Sequence, residues 1–445
     1  MLNRIIQRLN ARAEIQAWTV RHIESSETQL YAVPAGVEAV REVSRERYEI
    51  TVLRHTPGPD GRPACGAGAA TLLPNDDVDA ALDEAILMAG LVHNPLYGVP
   101  APAAMPDVPL IDADYQRDPA GTLERLYTAL RDAAGRHGGV RVTAAEFYGE
   151  TSATHLINSR GVDVAQIGTQ LATEFVLAAR HGRGDQARDA EALVEMYRRR
   201  AADFDLLRVA DRRAQHALDT LDATAPPDYE GAVILRDEAL GEFFRGSRVQ
   251  AGANVFQTLS SAAARFNGIT SWQVGKPILP GEVKGDALTM WANRCQPYGV
   301  ESNRFDEEGL PAQRILLIDQ NRLAAFTASQ RYAEYLALLP TGAFGNFEVA
   351  AGRASADRLL SEPHVEIAAF SFFNPNPISG DFACEIRLGY VFDGGRRVPF
   401  KGGMLVGNSL TALADVQFSA ETGAYGDYFG PTTARFGSLR VTGLS

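Results

Sequence analysis

The stretch from Asn374 to Asn408, NPNPISGDFACEIRLGYVFDGGRRVPFKGGMLVGN, restricts the fold more than any other part of the chain. Pro375 and Pro377 hold its start extended or turned, and Ser379-Gly380-Asp381 supplies a second turn. From Phe382 to Phe392 apolar and other residues alternate loosely. Asp393-Gly394-Gly395 then provides a hairpin turn, and Arg396 to Phe400 begins a return strand. Gly402-Gly403 precedes the apolar run Met404-Leu405-Val406, which closes at Gly407-Asn408. The pattern predicts a β-meander with glycines where backbones, or a bound chain, come close.

The plainest boundary is Ala223-Thr224-Ala225-Pro226-Pro227-Asp228. At 445 residues there is chain enough for two domains with buried cores. The predicted class is α+β. Residues 1–224 form an N-terminal α/β domain with antiparallel sheet and helices, and residues 225–445 form a β-rich domain. In the first part, Met1 to Leu9 has helical spacing, Ala13 to Val20, Thr28 to Val33 and Tyr48 to Arg54 read as strands, and 77–93 and 122–134 read as helices. Cys65-Gly66-Ala67-Gly68 lacks a following Lys-Ser/Thr, so it reads as a small-residue strand under a helix rather than a phosphate loop. Asn94 to Pro109, with five prolines, predicts a wrapping loop. Strands are expected over 140–164 and 166–180, and a long charged helix over Asp189 to Leu221. In the second part, strands are expected at 314–319, 322–327, 347–350, 364–372 and 382–406.

The net charge of −12 argues against nucleic acid as the main partner, since phosphate binding needs a clustered basic face. No apolar run is long enough for a membrane helix. Three cysteines without ligand spacing argue against a disulfide framework and for a reducing compartment, so a cytoplasmic location is expected. Trp272, Trp291, Tyr298 and Phe305 either pack a core or line a groove.

The Asn-Pro-Ile-Ser turn with Gly-Asp-Phe, the Gly-Gly hairpin, the Pro-Phe-Lys-Gly-Gly return and the Val-Gly-Asn-Ser-Leu exit together resemble the C-terminal signature of the TldD/PmbA family. That resemblance implies a chamber in which an unfolded peptide is held as an added strand. It also implies action on natural-product precursor peptides or small unfolded proteins. Asn376, Ser379, Gly380, Asp381, Gly402 and Gly403 are the substrate-binding positions it suggests.

In the peptidase members of the family, His-Glu-x-x-x-His binds zinc, with the glutamate as general base. The corresponding segment here is Asp237-Glu238-Ala239-Leu240-Gly241-Glu242, and no cysteine follows Cys384 to replace the family's C-terminal thiolate ligand. The departure implies no catalytic residue and no metal or other cofactor in this chain, with zinc held by a partner. It points to the PmbA branch, also called TldE, as the non-catalytic subunit of a two-chain metallopeptidase with a TldD-type zinc subunit. For Asp237, Glu238 and Glu242, helix capping and ion pairing with arginine is the ordinary reading. Two alternatives remain: a homodimeric peptide-binding protein, and a self-sufficient hydrolase holding a hard cation on these three carboxylates.

Overall fold

The structure, a computed structural model, describes residues 1–182, 187–247 and 254–443. Its first sheet comprises β1 (Ala17–Val33), β2 (Gly36–Pro57), β3 (Pro63–Leu72), β4 (Val140–Asn158), β5 (Asp163–His181) and β6 (Arg188–Arg198). All pairings are antiparallel, in the order β3-β2-β1-β4-β5-β6. The two predicted segments 13–20 and 28–33 are ends of the single long strand β1.

Five helices cover this sheet: α1 (Leu2–Ala11), α2 (Val78–Gly90), α3 (Ala113–Arg117), α4 (Pro119–Ala134) and α5 (Leu206–Leu221). Ile5, Leu9, Val78 and Leu82 pack with Val20 and Ile50 in one core. Leu123, Leu130, Ala210 and Ala214 pack with Phe147 and Phe175 in another. The small-residue strand behaves as predicted. A Cβ on Gly68 would lie 1.8 Å from the Ala85 carbonyl oxygen, so α2 can approach β3 only because no side chain intervenes.

One prediction fails here. Asp189 to Leu221 is not a single helix, because its first third is strand β6. Ala190, Ala192, Val194 and Met196 alternate into the core, and the free edge of β5 supplies a full ladder partner. Period two and tertiary pairing override the helix propensity of Ala, Leu, Glu and Arg. The helix begins only after Asp205, whose φ of 42° marks the break.

Beyond residue 228 two further sheets form. One contains β8 (Met290–Asn293), β9 (Arg314–Asp319), β10 (Arg322–Leu323), β11 (Asn346–Val349), β17 (Thr422–Tyr425) and β18 (Tyr428–Pro431). The other is built from β7 (Tyr229–Arg236), β12 (His364–Phe370), β13 (Asp381–Phe392), β15 (Met404–Asn408) and β19 (Thr433–Thr442), with β14 (Arg397–Phe400) and β16 (Val416–Phe418) at its margins. Its order, β12-β7-β19-β15-β13, returns to β12 through the β12–β13 pairing, so five strands close a small barrel. Closure removes the exposed edges of an open sheet. Trp272 and Phe305 are buried, while the Trp291 and Tyr298 rings are covered by Arg314 and Arg200 at 4.1 and 3.9 Å, so these aromatics pack rather than line a groove.

The predicted meander is present, with a correction at its glycines. β14 and β15 run as one interrupted line along β13. At the interruption the Gly402 N–H donates to the Ile386 carbonyl and the Ile386 N–H donates to the Gly403 carbonyl, both at 3.0 Å. Gly402 and Gly403 have φ of 83° and 76°, a bulge rather than the negative-φ strand position that would accept a valine. A Cβ on Gly403 would lie 2.5 Å from the Thr442 carbonyl oxygen and 2.9 Å from Pro226 Cβ, so Gly403 serves the packing of the chain on itself. Gly403→Val is therefore expected to lower stability by roughly 2–4 kcal/mol, from left-handed strain and overpacking together. Gly395→Ala, whose nearest neighbour would be 3.9 Å away, is expected to leave thermal unfolding unchanged. Equal melting of the two variants would refute this account of the bulge.

Candidate functional site

Where β7 leaves the barrel, α6 (Asp237–Arg245) begins. Leu240, Phe243 and Phe244 are fully buried, as their i, i+3, i+4 spacing requires. The Phe243 ring lies 4.9 Å from Phe436 and 5.8 Å from Phe373, so the helix is anchored on the barrel by its apolar face. Its polar face turns Asp237, Glu238 and Glu242 into a cleft against α5 and β6.

Each carboxylate has a different fate. Asp237 takes a left-handed φ of 52°, and its N–H donates to the Thr432 carbonyl at 2.8 Å. One of its oxygens accepts from the Arg212 guanidinium and the other from the Tyr425 hydroxyl. The expected capping role is absent. Arg236 stands at the N-cap position, and the Asp237 oxygens are already engaged across the cleft. Glu238 pairs with Arg245, which also lies 3.7 Å from Asp427. Glu242 is half-buried, and burial pushes its carboxyl up to about 7, opposed by Arg245 and reinforced by Glu238.

These residues do not fit a divalent cation. Asp237 and Glu238 are neutralised by guanidinium groups, and Arg213 and Arg245 would stand beside any ion placed among them. Among the described residues, one set of three potential ligands does converge within 4.8 Å, namely His22, Glu24 and Glu46 on the first sheet. There His22 Nε2 is hydrogen-bonded to Glu46 at 2.9 Å and its ring stacks on Tyr48 at 4.4 Å.

The cleft has three adjoining chambers, of about 110, 250 and 40 Å³, whose walls share Arg213 and Glu238. Residues 193–198 and 368–371 line the first in unbroken runs. A strand face would contribute alternate residues, so unbroken runs mark strand edges. Among the described residues, β6 is the last strand of its sheet, paired with β5 alone. β12 pairs with β7 only over residues 365–367, because β7 then turns into α6, while its partner β13 continues opposite Phe370. Among the described residues, the first chamber is thus a slot between two strand edges.

The signature residues lie elsewhere. Asn376 Oδ1 accepts from the N–H groups of Ile378 (2.9 Å) and Ser379 (3.0 Å). Ser379 Oγ donates to Asp381 at 2.7 Å, and Asn408 Nδ2 donates to the Ser379 carbonyl (2.7 Å) and to Asp381 (2.8 Å). With the buried Gly380 at φ 80°, the exposed Asn376, Ser379 and Asp381 form a turn tied to the end of β15. None of them, nor Gly402 or Gly403, is in the cleft wall, so they are not brought together with the α6 carboxylates. Sequence reasoning missed Arg198, Arg213, Arg245 and Arg387, which are in that wall. For Arg198 the signal available was the alternation of 190–196, which would have made it the end of an edge strand.

Residues 229–443 match the PmbA/TldA metallopeptidase C-terminal domain. An uncharacterised protein of Methanocaldococcus jannaschii is 24% identical over 315 residues, 67% of this chain and 68% of that one. Two solved structures share the fold over 99% of this chain and 100% of their own. TldE from Thermococcus kodakarensis has a TM-score of 0.82 at 15% identity. A Thermotoga maritima protein named as a candidate modulator of a DNA gyrase has a TM-score of 0.81 at 17%.

The raised carboxyl of Glu242 makes a pH prediction. A carboxyl whose folded value exceeds its unfolded value keeps its full contribution below the unfolded value and loses it as pH rises through the folded one. Stability should therefore fall between about pH 4.5 and 7. Glu308, also pushed up to about 7 by burial, acts in the same direction. Glu242→Gln is expected to raise the melting temperature at pH 8, by the equivalent of roughly 1–2 kcal/mol, and to leave it near wild type at pH 5. An equal effect at both pH values would exclude Glu242 as a source of the slope.

Proposed function

Since this chain belongs to the PmbA/TldD family, we propose that it is a TldE-like, non-catalytic subunit of a two-chain metallopeptidase. It acts beside a TldD-type zinc subunit on unfolded or natural-product precursor peptides. The observation that carries this reading is the cleft itself. At the segment where peptidase relatives would place zinc ligands, Asp237 and Glu238 are engaged by arginines, yet a slot between two strand edges is present. Such a slot can hold an extended main chain by added-strand hydrogen bonds without demanding a sequence, and its donor set supplies no Lewis acid and no base on a metal-bound water. The carboxylate-bound hard-metal alternative is disfavoured by the same pairings. A cytoplasmic location accords with three free cysteines. Among the described residues, no helix is long and apolar enough to cross a membrane.

Two measurements test the proposal. Elemental analysis of the desalted chain is expected to give far less than one zinc per molecule. A TldD-type protein from the same source is expected to co-elute with this chain and to cleave extended peptides at least about tenfold faster in its presence, equivalent to about 1.4 kcal/mol of transition-state stabilisation. Equal activity of that protein alone over a range of peptides would refute the partnership.

A further inference from the structure

The charges around the cleft do not balance. Eight arginines and five carboxylates line its chambers, in a chain whose net charge is −12. Arg212 is matched by Asp237 and Arg245 by Glu238, while Glu366 is shared between Arg397 at 3.1 Å and Arg236 at 3.9 Å. Among the described residues, Arg198, Arg213 and Arg387 make no ion pair. Arg198 is held by neutral carbonyls alone, donating to Tyr197 at 2.7 Å and Asp203 at 3.0 Å. Arg213 is in the wall of every chamber. Arg387 projects from the exposed face of β13 into the edge-lined slot.

A guanidinium enclosed near carboxylates but ion-paired with none, as Arg213 is among Asp237, Glu238 and Glu242, is costly to the fold, and it cannot shed its proton to relieve the cost. Such a group is stabilised by an anion arriving from outside. The anion must reach the slot as part of something that fits between two strand edges, and a peptide does so with its carboxylates spaced along an extended backbone. A planar carboxylate also matches the guanidinium fork by two parallel hydrogen bonds.

We propose that the cleft selects extended peptides by a carboxylate, received by Arg213 with Arg198 and Arg387, while the strand edges hold the main chain. The proposal rests on the peptide-holding reading and adds the substrate class. Acidic side chains and a free C-terminus offer the same chemistry, and the test separates them.

Fluorescence anisotropy of the full chain, alone and with its zinc partner, would compare three labelled peptides of one extended sequence. One carries Asp and Glu with a free C-terminus, the second is amidated, and the third is the amidated Asn/Gln isostere. The acidic peptides are expected to bind at least about tenfold tighter than the isostere, an advantage that shrinks with added salt. A loss on amidation assigns the terminus, and retention assigns the side chains. Arg213→Ala and Arg387→Ala should each erase most of the acidic preference while isostere binding stays unchanged. Arg387, exposed and without an ion pair among the described residues, keeps the test valid should loss of Arg213 disturb folding. Equal binding of acidic and isosteric peptides would overturn the carboxylate assignment and leave peptide holding intact. Failure of every peptide to bind either form would overturn both. Tighter binding of a phosphoserine peptide than of its Glu counterpart would overturn the assignment in favour of phosphate.

Discussion

Arg199 lies buried at the seam between the two halves of the molecule and donates from all three of its side-chain nitrogens to main-chain carbonyls. Nε reaches Gly299 at 2.9 Å, Nη1 reaches Thr169 at 3.0 Å, and Nη2 reaches Val300 and Ser302 at 2.9 and 2.8 Å. Burial lowers its pKa to about 10, which still leaves it protonated at neutral pH, so every one of these bonds is charge-assisted. Three of the four acceptors belong to the second half, while Arg199 follows directly on β6. The side chain therefore fixes the end of one strand edge against the body that carries the other. Arg304 makes the reverse connection, donating to Pro106 and Ala165 at 3.1 Å. Arg198, one residue before the clamp, lines the slot while Arg199 is turned to the seam.

The sequence disclosed what is local. The meander was legible because turn chemistry is written in adjacent residues, and α6 because Leu240, Phe243 and Phe244 fall at helical spacing. β3 was legible because two glycines among small residues have few uses other than close packing. What was not legible is what distant residues decide together. Closure of the barrel depends on β12 meeting β13 and on β19 running between β7 and β15, none of which leaves a mark on any one segment. β6 was hidden by its own composition, since Ala, Glu, Leu and Arg favour a helix until an open strand edge offers them a ladder. The positive φ of Gly402 and Gly403 was hidden for a related reason. A glycine pair before an apolar run looks the same whether it interrupts a strand or bends it into a bulge.

The α6 carboxylates show a third kind of limit. Their presence was evident and their meaning was not, because Asp237 and Glu238 are defined by the partners that the fold brings to them. Arg212 comes from α5, Tyr425 from β17, and Arg245 from the end of α6 itself. A left-handed aspartate at the junction of β7 and α6 is an uncommon conformation for a residue other than glycine, and here two side-chain partners and one main-chain bond hold it. The junction is where the barrel hands its edge to the helix, so the same residue that turns the chain also frees the adjoining side of β12.

The two features of the slot divide recognition between them. Main-chain edges give affinity that is nearly indifferent to side chains, since every residue except proline offers the same donor and acceptor. Selectivity must then come from groups standing off the edge, and in this cleft those are guanidiniums on α5, β6 and β13. Their surplus sits within an acidic molecule, so the attraction is local. At physiological ionic strength the field of exposed charges fades over about 8 Å, whereas charges inside a partly enclosed slot are screened less. A chain carrying carboxylates is repelled by the surface at large and attracted only where the arginines outnumber their partners. That contrast favours arrival at the slot over adsorption elsewhere, and it needs no ordered side-chain sequence in the peptide.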